Sequence, residues 1–297
     1  MRILIEQFGG TIGSCTGDDG IVSLDSKNPA GDLASGFKDI EFIFSSRLKY
    51  SSENATCGTF RDAIRQITED IRDISPDAVL VLHGTDTMSF FAQLAVRCLS
   101  YTGIPFVITG SKLPPDQDGT DAYANVRGSI ELLRTGKRLA HVVFSKSSGG
   151  DIEAIPCSLV TAADINGDYG RFPGGRDGAG ETDFSGDNYR LRAEKFVRSG
   201  SRLGILVIPA VPGYPYEAID AGYYRNIIIC CYHSGTANSV ILPQKVREWT
   251  SDGIRCYLAP VPAGGNIYES RSVLEEAGAI PVPGIPLEGC WAEVLLN

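Results

Sequence analysis

The chain has 297 residues, of which 43% are hydrophobic and 21% charged, and its formal net charge is -9. That length allows a large buried core and two domains. The negative balance argues against nucleic acid or an anionic membrane as the main partner, because either would repel the average surface.

Met1 and Arg2 lead straight into Ile3-Leu4-Ile5 and a glycine turn. Neither the apolar region nor the small-residue cleavage site of a signal peptide is expected there. Ile3 to Glu6 reads as a strand. Residues 59–74 read as a helix, with Ala63, Ile64, Ile67, Ile71 and Ile74 at helical spacing and Thr59 with Asp62 resembling a capping box. Pro76 closes it. Ala78 to Leu82 is a continuous apolar run of the kind a strand buried on both faces shows. A polar turn at 83–87 follows, and then a helix through Phe91, Leu94, Ala95 and Cys98. Pro105 to Thr109 reads as another strand, 121–135 as a helix and 141–144 as a strand.

Residues 145–200 are rich in Gly and Asp, and 172–181 read as an exposed loop or linker. Strands are expected again at 203–208, 226–231 and 254–259, with helices at 215–222, 238–250 and 269–277. Strands alternating with helices imply crossover units and a parallel sheet covered on both faces. The expected fold class is α/β, with a larger N-terminal parallel-sheet domain at 1–180, a linker at 181–202 and a smaller C-terminal α/β domain at 203–297.

The eight cysteines show no CxxC pair and no Cys/His cluster with zinc spacing, and His83, His141 and His233 are far apart. Cys98, Cys230 and Cys231 lie in apolar segments, as reduced core thiols do. No apolar run reaches the length of a membrane span. No metal, no cofactor and no membrane contact are expected, and the expected compartment is the cytoplasm.

In an open parallel sheet, ligands bind beyond the carboxyl ends of the strands. The first strand delivers Thr11 there, the strand before position 83 delivers Thr85 and Asp86, and the strand before position 110 delivers Ser111. Hydroxyls become nucleophiles when a base removes their proton and donors stabilise the oxyanion, and Gly-Thr turns expose such backbone donors. Each piece alone has a plainer reading. Gly9-Gly10-Thr11-Ile12-Gly13 could be only a turn, and it fits neither a dinucleotide fingerprint nor a P-loop. Thr85 and Asp86 could be a helix cap and its neighbour. His83 alone reads better as a structural histidine than as a base.

Together, Phe8-Gly-Gly-Thr-Ile-Gly13 and Val81-Leu-His-Gly-Thr-Asp-Thr-Met88 resemble the two signature motifs of bacterial-type L-asparaginases. Ile108-Thr-Gly-Ser111, then Gly119-Thr-Asp-Ala122 with Asn125, resembles the next block. The stretch from Gly264-Gly265 through Tyr268, Leu274, Gly278 and Leu295 resembles the closing helix-turn-helix. The resemblance implies hydrolysis of L-asparagine to L-aspartate and ammonia, with Thr11 as nucleophile and Thr85 as second hydroxyl. It places Asp86 and Glu53 on the substrate ammonium and Ser52 on its carboxylate, with Ser51 as the competing register. Gly84 and Ser111 border the same pocket. Asn238, in Ser234-Gly-Thr-Ala-Asn238, either reaches a partner's site or caps the following helix. A homodimer or homotetramer acting on a small amino acid is implied. Glutamine and catalytically silent binding of asparagine or aspartate are the alternatives.

Two departures stand out. Ile21 falls where the family's loop tyrosine is expected. The stretch 155–157, where a lysine serving the second threonine is expected, is Ile-Pro-Cys. Lys146 lies about ten residues early. Asp164, Lys112 and Glu153 are the candidate replacements.

Overall fold

The computed structural model of the chain describes residues 1–24, 27–45, 47–147, 151–173, 183–200 and 204–297. It divides into a larger unit, 1–171 with 182–199, and a smaller one, 172–181 with 200–297. The larger unit contains strands β1 (Arg2–Gln7), β2 (Ser14–Thr16), β3 (Val22–Leu24), β4 (Glu41–Ser45), β5 (Ala78–Leu82) and β6 (Phe106–Thr109). It continues with β7 (Ala140–Ser145), β8 (Ile152–Pro156), β9 (Val160–Ala163) and β10 (Tyr169–Arg171). Its helices are α1 (Pro29–Leu33), α2 (Cys57–Ile74), α3 (Met88–Leu99), α4 (Ala122–Arg134) and α5 (Asp187–Arg198). The smaller unit holds β11 (Ile205–Pro209), β12 (Asn226–Cys230), β13 (Arg255–Val261) and β14 (Ile280–Pro283), with α6 (Leu242–Ser251), α7 (Glu269–Glu276) and α8 (Leu287–Leu296).

The main sheet runs β4-β1-β5-β6-β7-β8. Its first five strands are parallel, and β8 closes the edge antiparallel to β7. Strand residues alternate between faces. Ile3, Ile5, Leu80 and Val107 meet Val126, Ile130 and Leu133 of α4 on one face. Glu6 alternates with Ile5, and its contact with Gln66 puts α2 on the other. The smaller unit is one parallel sheet in the order β11-β12-β13-β14. Leu242, Val246 and Trp249 of α6 and Leu274 of α7 cover one face, and Cys290 and Val294 of α8 cover the other. The α/β class with a large parallel-dominated sheet is as the alternation implies. Among the described residues, no helix is long and apolar enough to cross a membrane.

Local differences from the sequence reading have local causes. α2 is capped by Thr56, not by Thr59 with Asp62. The Thr56 hydroxyl accepts from the Thr59 amide and the Thr59 hydroxyl accepts from the Thr56 amide, both at 3.1 Å. The Gly/Asp-rich stretch hides β8, β9, β10 and α5. Within the expected linker, α5 belongs to the larger unit. It buries Ala193 and Phe196, and Arg61 and Arg65 of α2 donate to the carbonyls of Ser199 and Val197 at its end. Most of the 172–181 loop, and Leu203, lie outside the described residues. The helix expected at 215–222 shrinks to a 3-10 turn at Tyr216–Ala218. The segment between Pro215 and Gly222 is too short to offset helix nucleation. α6 begins at Leu242 because the Asn238 side chain first takes the amides of Val240 and Ile241.

One buried charge tests this packing. Glu6 is fully buried at the end of β1 and accepts from Gln66 Nε2 at 2.6 Å, while its Oε1 has no hydrogen-bond partner among the described residues. Ser45 and Arg47 hold the neighbouring Asp70 carboxylate, each at 2.7 Å. Burial raises the Glu6 carboxyl to about 8, with the Gln66 bond opposing and Asp70 adding to the rise. Between its unfolded value and about 8, the folded chain therefore holds a proton that the unfolded chain releases. Stability from this group falls as pH rises through that window. Glu6→Gln should be more stable than the wild type in urea melts at pH 9, and this advantage should vanish at pH 5. Parallel stability curves for the two proteins would contradict it.

Candidate active site

Three turns meet at the carboxyl edge of β1 and β5. The pairing of Gln7 with Leu82 and the bond from the Phe8 amide to the Leu82 carbonyl (2.9 Å) bring both chains out of the sheet side by side. Gly10, at φ 79°, then lies against the backbone of Gly84. A Cβ on Gly10 would fall within 2.5 Å of the Gly84 amide nitrogen, so no side chain fits there. From the other side, the Tyr50 amide donates to the Phe8 carbonyl at 2.8 Å and brings in residues 50–54.

A short 3-10 turn follows in each segment, at Thr11–Gly13, Ser52–Asn54 and Thr85–Thr87. Ser52 is buried and its hydroxyl donates to Asp86 Oδ2 at 3.0 Å. The Thr87 hydroxyl donates to the Ser52 carbonyl, also at 3.0 Å. Gly84 leaves the room that Ser52 occupies, since a Cβ there would lie 2.5 Å from the Ser52 Cβ. Thr11, Ser52, Gly84, Thr85 and Asp86 are thus brought together. Thr11 and Thr85 are half-buried and Asp86 is exposed. Among the described residues neither threonine hydroxyl has a hydrogen-bond partner, and Asp86 makes no ion pair.

Ser111 follows Gly110, which approaches the Thr85 methyl, and its buried hydroxyl has no hydrogen-bond partner among the described residues. Asp121 fixes this loop. Its carboxylate accepts from the Lys112 amide (2.8 Å), Asn125 Nδ2 (2.9 Å) and the Ser145 hydroxyl (3.2 Å). Glu53 shares the turn of Ser52 and is exposed. Asn238 lies in the smaller unit, where its Oδ1 accepts from the Val240 and Ile241 amides at 3.0 and 2.7 Å.

His83 supports the site without acting as its base. Its Nδ1 is 2.7 Å from the Gly84 carbonyl and its Nε2 is 2.8 Å from the Tyr50 hydroxyl. A carbonyl only accepts, so Nδ1 carries the proton and Nε2 accepts from Tyr50. Burial lowers the imidazole to about 4 and raises the Tyr50 phenol. The ring stacks on Phe91 with centroids 4.7 Å apart.

The candidate bases are engaged elsewhere. Lys112 Nζ pairs with Asp168 at 2.8 Å, and that contact, with Ser147, holds the Asp168 carboxyl near 2. Glu153 pairs with Lys146 at 3.0 Å. Asp164 accepts from the Asn166 and Asp168 amides of its own turn. In place of the loop tyrosine, β2 and β3 form a hairpin whose Ile21 is 65% exposed. Asp116 and Gln117 pin this hairpin through Thr16. Among the described residues, no group of His, Cys, Asp and Glu could hold a metal ion.

One residue beside the site escaped the sequence reading. Tyr169 on β10 donates its hydroxyl to the Thr85 carbonyl at 2.6 Å. The signal available was Asn166-Gly167, a hairpin dipeptide, which sits at the β9–β10 turn with Gly167 at φ 78°.

Residues 2–153 match the family model "Asparaginase, N-terminal". A glutamyl-tRNA(Gln) amidotransferase component from Aeropyrum pernix is 24% identical over 238 residues, covering 73% of this chain and 55% of that protein. The chain thus spans about half the length of this curated relative. An L-asparaginase of Bacillus licheniformis is 28% identical over 134 residues, 43% of this chain and 40% of that one. Among solved structures, the L-asparaginase of Thermococcus kodakarensis has a TM-score of 0.70 at 20% identity, covering 100% of this chain and 92% of that one. The probable cytoplasmic L-asparaginase of Campylobacter jejuni has a TM-score of 0.74 at 14% identity, covering 99% and 94%. At those identities the likeness is one of fold.

The Gly10–Gly84 contact can be separated from ordinary glycine strain. Gly20 has φ 77° and nothing within 4 Å of its would-be Cβ. Gly20→Ala should cost about 1–3 kcal/mol from left-handed strain alone. Gly10→Ala should cost that plus roughly 1–3 kcal/mol for the backbone collision. Equal shifts in urea midpoint for the two variants would refute the close approach.

Proposed function

The chain belongs to the asparaginase family, and on that premise we propose that it is an amidohydrolase that converts L-asparagine to L-aspartate and ammonia, with Thr11 as nucleophile. The observation that carries this reading is the convergence of Thr11, Thr85, Asp86 and Ser52 at one glycine-walled edge. Thr11 Oγ1 attacks the side-chain amide carbon, the C–N bond breaks, and the threonine proton leaves with the nitrogen as ammonia. Water then cleaves the threonyl ester, releasing aspartate and restoring the hydroxyl. Amides of the glycine turns serve the oxyanion, and Thr85 is the second hydroxyl.

Asp86 is exposed and has no ion pair among the described residues, so its charge is available to the substrate ammonium. The Ser52 hydroxyl donates a hydrogen bond to Asp86 in the free protein. Its assigned contact with the substrate carboxylate requires that hydroxyl to turn as the ammonium reaches Asp86. Glu53 adds a second negative charge beside the ammonium. A homodimer or homotetramer, with Asn238 bordering a neighbouring copy's site, and a cytoplasmic location belong to the same proposal.

A second reading is favoured by one observation: Lys112 and Lys146 are both paired with carboxylates. Loss of general-base help costs roughly 10²–10⁴-fold in rate. A slow or silent relative that holds asparagine or aspartate would fit such a site. Glutamine is the second amide to test, given relatives named as parts of a glutamyl-tRNA(Gln) amidotransferase.

Ammonia release from asparagine and from glutamine decides between these readings. The enzyme reading expects release by the wild type and none by Thr11→Ala, with the variant's fold intact. It also expects Asp86→Asn to raise KM at least tenfold. No release by the wild type, together with a rise in its melting temperature on adding aspartate, would establish the binding reading instead.

A further inference from the structure

The Thr85 carbonyl accepts two hydrogen bonds, one from the Met88 amide at the start of α3 and one from Tyr169 Oη at 2.6 Å. Both lone pairs are used, so the peptide joining Thr85 to Asp86 is fixed from its carbonyl side. Ser52 fixes the same turn from the other side, through the Asp86 carboxylate and the Thr87 hydroxyl. The Tyr169 ring is itself held, edge-on to Phe144 with centroids 5.1 Å apart and planes at 74°. Gly110 separates Phe144 from the Thr85 methyl. Burial, with the Asp86 charge adding to it, pushes the Tyr169 phenol far above its usual range. The group is therefore a donor and never a base at neutral pH.

A carbonyl that accepts a short hydroxyl bond also polarises its own peptide, which strengthens the N–H on the other end. Here that N–H belongs to Asp86. We propose that Tyr169 is a positioning residue of the amide-hydrolysing site, locking and polarising the Thr85–Asp86 peptide through the Thr85 carbonyl. It thereby holds the second threonine in place through that residue's own carbonyl. It acts on the reacting groups through Thr85 and does not itself take the proton. This rests on the amide-hydrolysis reading above.

Tyr169→Phe removes the hydroxyl and keeps the ring. A neutral hydrogen bond lost from the transition state lowers kcat about tenfold. KM for asparagine should stay within twofold. In a Thr85→Ala background, the same change should lower kcat no further, because the two groups act as one unit. Val160→Ala is the packing control. It loosens the β9–β10 hairpin without touching the hydroxyl, and should lower the melting temperature while leaving kcat within twofold. Wild-type kcat in Tyr169→Phe, or an equal loss in both backgrounds, would overturn the inference while leaving the hydrolase reading intact. A kcat loss in Val160→Ala matching that of Tyr169→Phe would overturn it as well, in favour of general loosening. No turnover by the wild type would remove the reading and the inference together.

Discussion

Gly10 and Gly84 meet backbone to backbone, and the arrangement of the candidate site depends on that contact. Two parallel strands place their following turns next to each other. A Cβ on Gly10 would collide with the backbone of Gly84, so a side chain there would force the turns apart. Without a Cβ on Gly10 the two turns can touch, and Thr11 and Thr85 each follow directly after the contact. The left-handed φ of Gly10 turns the chain sharply enough for Thr11 to enter its 3-10 turn at the sheet edge. Ser52 fits only because Gly84 is also a glycine.

Around that contact the groups sort by charge. His83 beneath the turns is neutral, held in one tautomer by the Gly84 carbonyl and the Tyr50 hydroxyl. It anchors the turn and brings no positive charge to the pocket. Asp86 faces outward with one hydroxyl as its partner. The turn thus presents a negative group near two threonine hydroxyls that have no hydrogen-bond partner among the described residues. That pattern suits a substrate carrying an ammonium next to an uncharged amide. Tyr169 and Met88 both donate to the Thr85 carbonyl, on the other side of the turn from Ser52.

Much of this was legible in the residues. The buried runs of β1, β5 and β6 imply a parallel sheet, and the turns after them carry the candidate residues. The contact that gives the glycines their purpose was not legible, because it follows from the register of Gln7 with Leu82, far apart in the chain. Thr56 does not stand out as the cap of α2, because the apolar periodicity begins later than the helix does. The Gly/Asp-rich stretch after β7 was read as irregular because β9 and β10 are too short to show alternation. Tyr169 belongs to that stretch, and its partner Thr85 is 84 positions away. The fate of the candidate bases was equally invisible, since Lys112 is removed from use by Asp168, which only folding brings near.

The central claim is that Thr11 carries out covalent chemistry on an amide. The most direct measurement is mass spectrometry of the protein quenched in acid during turnover of asparagine, followed by peptide mapping. The account predicts an aspartyl ester on the peptide containing Thr11, absent from Thr11→Ala. An ester on the peptide containing Thr85, or turnover that continues in Thr11→Ala, would contradict it.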